Sequence, residues 1–155
     1  KTFIYFGIIL FIFLADRISK LYILSVLEDL GFVDININSY INLILVWNTG
    51  IGFGLFSSDS TLVYNFITGI ICFVIMFLIY LILNSKMTDK VLFSLILGGA
   101  LGNFYDRLTY YAVPDFIDIH YQNFHWFTFN IADIFITIGI LLFITKDIFL
   151  KNEKN

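Results

Sequence analysis

The sequence predicts an α-helical integral membrane protein: four transmembrane helices and a small extracytoplasmic β-sheet. Three observations lead there: too little charge for the chain's size, four long apolar stretches, and a one-sided distribution of lysine. Of 155 residues, 59% are hydrophobic, 19% aromatic and 14% charged, and the mean hydropathy is +0.90. Soluble domains carry about 25% charged residues. A soluble chain of this size buries only about 68–70% of its unfolded surface, too little to hide so many apolar side chains. The net charge of -3 and a pI near 5.1 also speak against a nucleic-acid partner.

A span needs about 20 mostly apolar residues. The first expected span covers residues 3–27 and is interrupted by Asp16, Arg17 and Lys20. The second, 61–83, carries no charge and would rise roughly 35 Å as a helix. The third, 90–108, ends on Asn103, Asp106 and Arg107. The fourth, 131–150, has Asp133 in its first turn and Lys146 and Asp147 near its end. The chain is expected to be a single membrane domain over 1–155. Cys72 stands alone in an apolar run, so no disulfide framework or cysteine metal site is available. Lys1 is not a methionine, so an initiator or a short leader is expected to precede it. The first apolar run continues past Asp16 and no small-residue cleavage site closes it, so it reads as a span, not a cleavable signal.

Lysine sets the orientation. Lys1, Lys86, Lys90, Lys146, Lys151 and Lys154 lie at the termini and between spans two and three, whereas 28–60 and 109–129 contain neither Lys nor Arg. Positive residues favour the cytoplasm, so both termini are expected inside and the two acidic-to-neutral loops outside. Those loops have strand-like pieces at 40–47 and 51–56, which suggest a hairpin or a bent strand pair, and at 113–119 and 125–129. Trp47, Trp126 and several tyrosines fit an interfacial belt.

Ionisable groups near a span are costly and mark function by default. Asp16, Arg17, Lys20, Asn103, Asp106, Arg107, Asp115, Asp118, Asn130 and Asp133 all fall toward the outer face. Pro114 stiffens the chain before Asp115. Asp115 and Asp133 each have two readings: separately, a loop carboxylate and a charge favoured by the helix start with Asn130 as its cap; together, a carboxylate pair that shares a proton. A close pair splits its pKa values, giving one acid and one base. Asp16 and Lys20 are four apart, the spacing of an intrahelical ion pair. Asn103 and Arg107 share a helix face, from which Arg107 can tie down loop backbone or a carboxylate. Gly98 and Gly102 have the spacing of close helix packing. His120 and His125 lack a partner at metal-ligand spacing and read as interfacial loop residues.

Five stretches together resemble one family. They are Asp16-Arg17-Ile18-Ser19-Lys20, Asn48-Thr49-Gly50-Ile51-Gly52-Phe53-Gly54, the run from Gly98 to Arg107, Val113-Pro114-Asp115-Phe116-Ile117-Asp118, and Phe129-Asn130-Ile131-Ala132-Asp133. In order and spacing the chain resembles the bacterial lipoprotein signal peptidases, type II signal peptidases of the inner membrane. The resemblance implies an aspartyl endopeptidase that cuts on the amino side of a diacylglyceryl-modified lipobox cysteine in prolipoproteins. It implies Asp115 and Asp133 as the catalytic dyad. It implies Asp16, Lys20, Asn48, Gly99, Asn103, Arg107, Asn130 and Ala132 as residues that hold the site or contact substrate. It also implies four membrane helices, an extracytoplasmic β-cradle and a short interfacial helix, which the sequence places only loosely within 53–60. No cofactor, metal or nucleic acid is expected. The partners are prolipoproteins and membrane lipids, and the chain is expected to act as a monomer.

Two positions depart from the family pattern. Arg17 stands where Gln is common, and Pro114 where an aliphatic residue is common. A proton relay would instead spread charge through the membrane depth, and span two offers none. A packing scaffold would not need carboxylates at one depth. The other intramembrane aspartyl proteases use Gly-x-Gly-Asp, whereas Gly50-Ile51-Gly52 is followed by Phe53.

Overall fold

In the computed structural model, which describes residues 2–50 and 61–152, each of the four apolar stretches is one helix. They are α1 (Thr2–Leu30), α2 (Thr61–Asn84), α3 (Met87–Tyr110) and α4 (Ile131–Asn152). Each runs a few residues past the apolar stretch that predicts it, because polar end residues still complete helical turns. Gly31, at φ 76°, closes α1 by donating its N–H to the Leu27 carbonyl, a left-handed stop that costs glycine little. α2 alone is long and apolar enough, by length and composition, to cross a membrane among the described residues. The other three helices owe their lower hydropathy partly to charged and polar residues: Asp16, Arg17 and Lys20 within α1, Asn103, Asp106 and Arg107 late in α3, and Asp133, Lys146 and Asp147 in α4.

α3 is the hub and packs against α1, α2 and α4. Glycine allows that crowding. A Cβ on Gly98 would stand 2.9 Å from Ile12 Cβ of α1, and one on Gly99 would stand 2.5 Å from the Ala132 carbonyl oxygen of α4. Between α2 and α3 lie Ile75, Leu78, Phe93, Leu97 and Ala100. Ile23, Val33 and Phe116 form a second cluster that seats the sheet on α1. We expect Gly99→Ala to cost about 1–3 kcal/mol, the usual scale of overpacking, because the obstacle is backbone and cannot rotate away. Thermal unfolding in detergent should show a clear loss; an unchanged melting temperature would mean that the α3–α4 contact is loose.

The sheet is antiparallel, in the order β1 (Asp34–Asn38), β2 (Ile41–Asn48), β3 (Val113–Tyr121) and β4 (Phe124–Phe129). β1 is not legible in the sequence, because Asp-Ile-Asn-Ile-Asn has the composition of a turn. β2 pairs with β1 and β3. The strand expected at 51–56, its hairpin with 40–47, and the helix expected within 53–60 lie outside the described residues. Register positions the chemistry. Asn48 pairs with Val113 and Val46 with Asp115, while Ile117 pairs with Phe129. The ends of β2 and β4 therefore flank Asp115. α4 begins two residues after β4, so Asp133 arrives at the same place.

Candidate active site

Asp115 and Asp133 are both buried, one on a strand and the other in the first turn of a helix. Asn130 links them. Its side-chain amide donates to Asp115 Oδ1 at 2.5 Å, and its Oδ1 accepts the Asp133 backbone N–H at 3.1 Å. Asp133 Oδ2 in turn accepts the Asn130 backbone N–H at 3.3 Å. That reciprocal pairing is a capping box, which satisfies two donors that the start of α4 would otherwise leave open. The helix cap and the carboxylate bridge are thus one residue.

Each carboxylate has a second amide partner. Asn48 Nδ2 donates to Asp115 Oδ2 at 2.9 Å, and Asn103 Nδ2 donates to Asp133 Oδ1 at 2.8 Å. Asn48 also accepts the Gly50 N–H at 2.8 Å, which turns the chain as it leaves β2. Burial first, and the neighbouring Asp133 charge second, push the Asp115 carboxyl from 3.8 to about 7 against the hydrogen bonds of Asn48 and Asn130.

Below the pair lies a cluster of two acids and two bases, all buried. Lys20 Nζ donates to Asp16 Oδ2 at 2.8 Å, to Asp106 Oδ2 at 2.6 Å and to Asn103 Oδ1 at 2.8 Å. Those three bonds use all the donors of an ammonium group. The Lys20 bond to Asn103 Oδ1 also fixes which way that amide faces, so its NH2 meets Asp133. Asp16 Oδ1 accepts the Ala132 backbone N–H at 3.0 Å and thereby ties α1 to the start of α4. A Cβ on Gly102 would meet Asp16 Oδ2 at 2.5 Å, so glycine makes room for that carboxylate. Arg17 reaches Asp106 Oδ1 at 2.5 Å and lies 4.9 Å over the Tyr105 ring. The unusual charge at position 17 therefore balances a second buried acid.

Arg107 points its guanidinium at the carbonyls of Gly50 and Thr49. Tyr64 supports it from α2: the ring lies 5.8 Å from the guanidinium, and the hydroxyl donates to the Arg107 carbonyl at 2.6 Å. Sequence reasoning misses Tyr64, since a tyrosine near a span end looks like any interfacial aromatic. A cavity of about 320 Å³ runs between α2, α3 and α4. Its wall is mostly aliphatic, with Asn103, Arg107, Asp133 and Thr137 as its polar members. The eight residues expected around the dyad all lie in or against this constellation, with Gly99 acting through packing on Ala132.

His120 and His125 depart from the expectation of isolated loop residues. They are on β3 and β4, and register makes them direct cross-strand partners. Both face Asp118. Spacing along the chain does not reveal this, because the partner lies across a hairpin.

Residues 8–149 match the family described as Signal peptidase (SPase) II. The chain belongs to the signal peptidase II family. It is 52% identical over 147 residues to a lipoprotein signal peptidase of Pelagibacter ubique strain HTCC1062, with 95% of this chain and 89% of the relative covered. It is 41% identical over 156 residues to the lipoprotein signal peptidase of Francisella tularensis subsp. novicida strain U112, covering 96% and 94%. A solved bacterial membrane enzyme superposes with a TM-score of 0.80 at 26% identity, covering 97% of this chain and 91% of the other. A second superposes with a TM-score of 0.73, again at 26% identity, covering 92% and 90%. Membership of the signal peptidase II family makes this a protease of a bacterial membrane.

Proposed function

We propose that this protein removes the signal peptide from diacylglyceryl-modified prolipoproteins as an aspartyl endopeptidase, with Asp115 and Asp133 as its dyad. The observation that carries the reading is the pair itself: two buried carboxylates joined through Asn130, of which Asp133 lines a cavity with a mostly aliphatic wall. Two carboxylates in one buried site do not ionise together readily, so they divide into an acid and a base. Asp115, raised to about 7, is the acid. Asp133 faces the N-terminal end of the α4 dipole, which favours the anion.

In this reading a water lies between them. Asp133 takes a proton from the water as its oxygen bonds to the scissile carbonyl carbon. Asp115 holds its proton on the carbonyl oxygen as negative charge develops there. When the carbon–nitrogen bond breaks, Asp115 gives that proton to the leaving amine, which becomes the amino group of the lipidated cysteine. Proton exchange within the pair restores the starting state. No cofactor enters these steps.

The membrane arrangement is part of the proposal. The four helices cross the bilayer as one domain, with both termini cytoplasmic and the sheet at the extracytoplasmic face. Support comes from the lysine distribution and from large apolar side chains exposed on all four helices, among them Phe11, Phe66, Leu108 and Leu141. A soluble monomer rarely exposes so continuous an apolar surface. A signal segment entering from lipid between α2 and α4 then meets Asp133 where the aliphatic wall ends, and the diacylglyceryl chains stay in the bilayer.

The direct test is cleavage of a diacylglyceryl lipobox peptide by purified protein in detergent, with the cut located by mass spectrometry. We expect one cut, on the amino side of the modified cysteine, and none in the unmodified peptide. Asp115 must be protonated to act as acid, so kcat/KM should fall about tenfold per pH unit once the pH passes its raised value near 7. A rate that stays flat well above that point would remove Asp115 from the acid role.

A further inference from the structure

We propose that Asp118, His120 and His125 form a binding site for a divalent transition-metal cation of the zinc class on the β3–β4 hairpin. The site shares no residue with the dyad and stands independently of the reaction proposed above. Three ligand atoms, one from each side chain, lie within 4.8 Å of one another. His125 Nδ1 is 2.7 Å from Asp118 Oδ2, and His120 Nδ1 is 3.4 Å from the same oxygen. Three donors around one zinc ion, at bond lengths near 2.0–2.2 Å, stand roughly 3.2–3.5 Å apart. The cluster is therefore near that size before any ion draws it together.

Burial points to a ligand. Asp118 is 1% exposed, and among the described residues its Oδ1 has no hydrogen-bond partner. The His120 side chain is 10% exposed, and its Nδ1 is likewise without a hydrogen bond among them despite facing Asp118. Buried polar atoms are usually satisfied, and one that is not requires a reason. A cation held between the three groups supplies it, because both ring nitrogens and the carboxylate then become electron-pair donors to one centre.

The frame is built for that geometry. His120 and His125 are a register pair on adjacent strands, and their rings stack at 5.4 Å. Both Nδ1 atoms consequently turn to the same carboxylate. The backbone N–H of His120 donates to the Tyr40 carbonyl at 2.9 Å, which anchors its strand to the β1–β2 turn. His125 is the outer partner, with a side chain 56% exposed, so an ion has a route in and at least one open coordination position. Two imidazoles and one carboxylate suit zinc, nickel or copper, whereas magnesium and calcium prefer oxygen ligands alone.

The test uses the full chain in detergent, without a histidine tag and after chelator treatment, titrated with Zn2+ and separately with Mg2+ by calorimetry. We expect one equivalent of Zn2+ to bind and no saturable Mg2+ heat. Co2+ should give the visible absorption of a low-coordinate complex. His125→Ala and His120→Ala should each weaken Zn2+ binding by at least the roughly tenfold that even outer-shell partners of a metal are worth. His125→Ala also removes the 2.7 Å hydrogen bond to the buried Asp118 carboxylate, so its metal-free melting temperature should fall modestly while the protein stays folded. Absence of saturable Zn2+ binding would overturn the proposal. So would an affinity left unchanged by either substitution, which would locate the ion elsewhere.

Discussion

Asp115→Asn and Asp133→Asn should each lower turnover of a diacylglyceryl lipobox peptide by about 10³-fold or more while the protein stays folded. A positioned acid or base contributes about 10²–10⁴-fold, and residues that act as a unit lose most of their effect when either is removed. Asparagine keeps the shape of the side chain. At 115 its oxygen can still accept from Asn48 or Asn130, and at 133 from Asn103. The position of Asp115 also provides a check that the fold is intact. Its native carboxyl holds a proton more tightly than the unfolded chain does, since it rises from 3.8 to about 7. The unfolded chain therefore releases that proton first, and wild-type stability falls as pH climbs through that window. An amide at position 115 does not titrate there. The melting temperature of Asp115→Asn should accordingly gain on the wild type between those two values and then hold its lead. Full activity in either variant would end the dyad assignment, whatever the melting curves show.

The pattern of what is legible follows from how far each interaction reaches along the chain. Helices are legible because apolar runs are local, and so is the 16–20 ion pair, one helical turn apart. The carboxylates at 115 and 133 can be singled out because Pro114 and a helix start are local signals. Their bridge is harder: Asn130 reads as a cap, and only strand register shows that the same amide touches Asp115. β1 escapes because its alternating Asp, Ile and Asn lack the β-branched and aromatic density that marks a strand. Arg17 and Asp106 are nearly ninety positions apart, so neither announces the other. The same holds for Tyr64 beneath Arg107. His120 and His125 are close in sequence, yet a hairpin, not a helical turn, sets their meeting, and a search by ligand spacing passes over it.

Lys20→Met should be among the most damaging single changes outside the dyad. The ammonium is fully buried and gives its three hydrogen bonds to Asp16, Asp106 and Asn103. Removing it leaves two buried carboxylates with Arg17 as their one ion-pair partner among the described residues. Breaking a buried pair in this way costs about 3–5 kcal/mol, which should appear as a large drop in melting temperature. Activity should fall as well, by about 10²-fold, the lower end of what a positioned base contributes, because the Asn103 amide loses the donor that keeps its NH2 on Asp133. Lys20→Arg should not rescue it. A planar guanidinium cannot converge three N–H bonds on partners spread around one nitrogen. The double variant Lys20→Met with Asp106→Asn separates the two effects. It removes one acid with the base, so Asp16 and Arg17 are left as a balanced pair, and much of the lost stability should return. Asn103 still has no ammonium to hold it, so activity should stay low. If activity recovers in step with the melting temperature, Lys20 serves only to neutralise buried charge. If the two part company, Lys20 positions the dyad through Asn103.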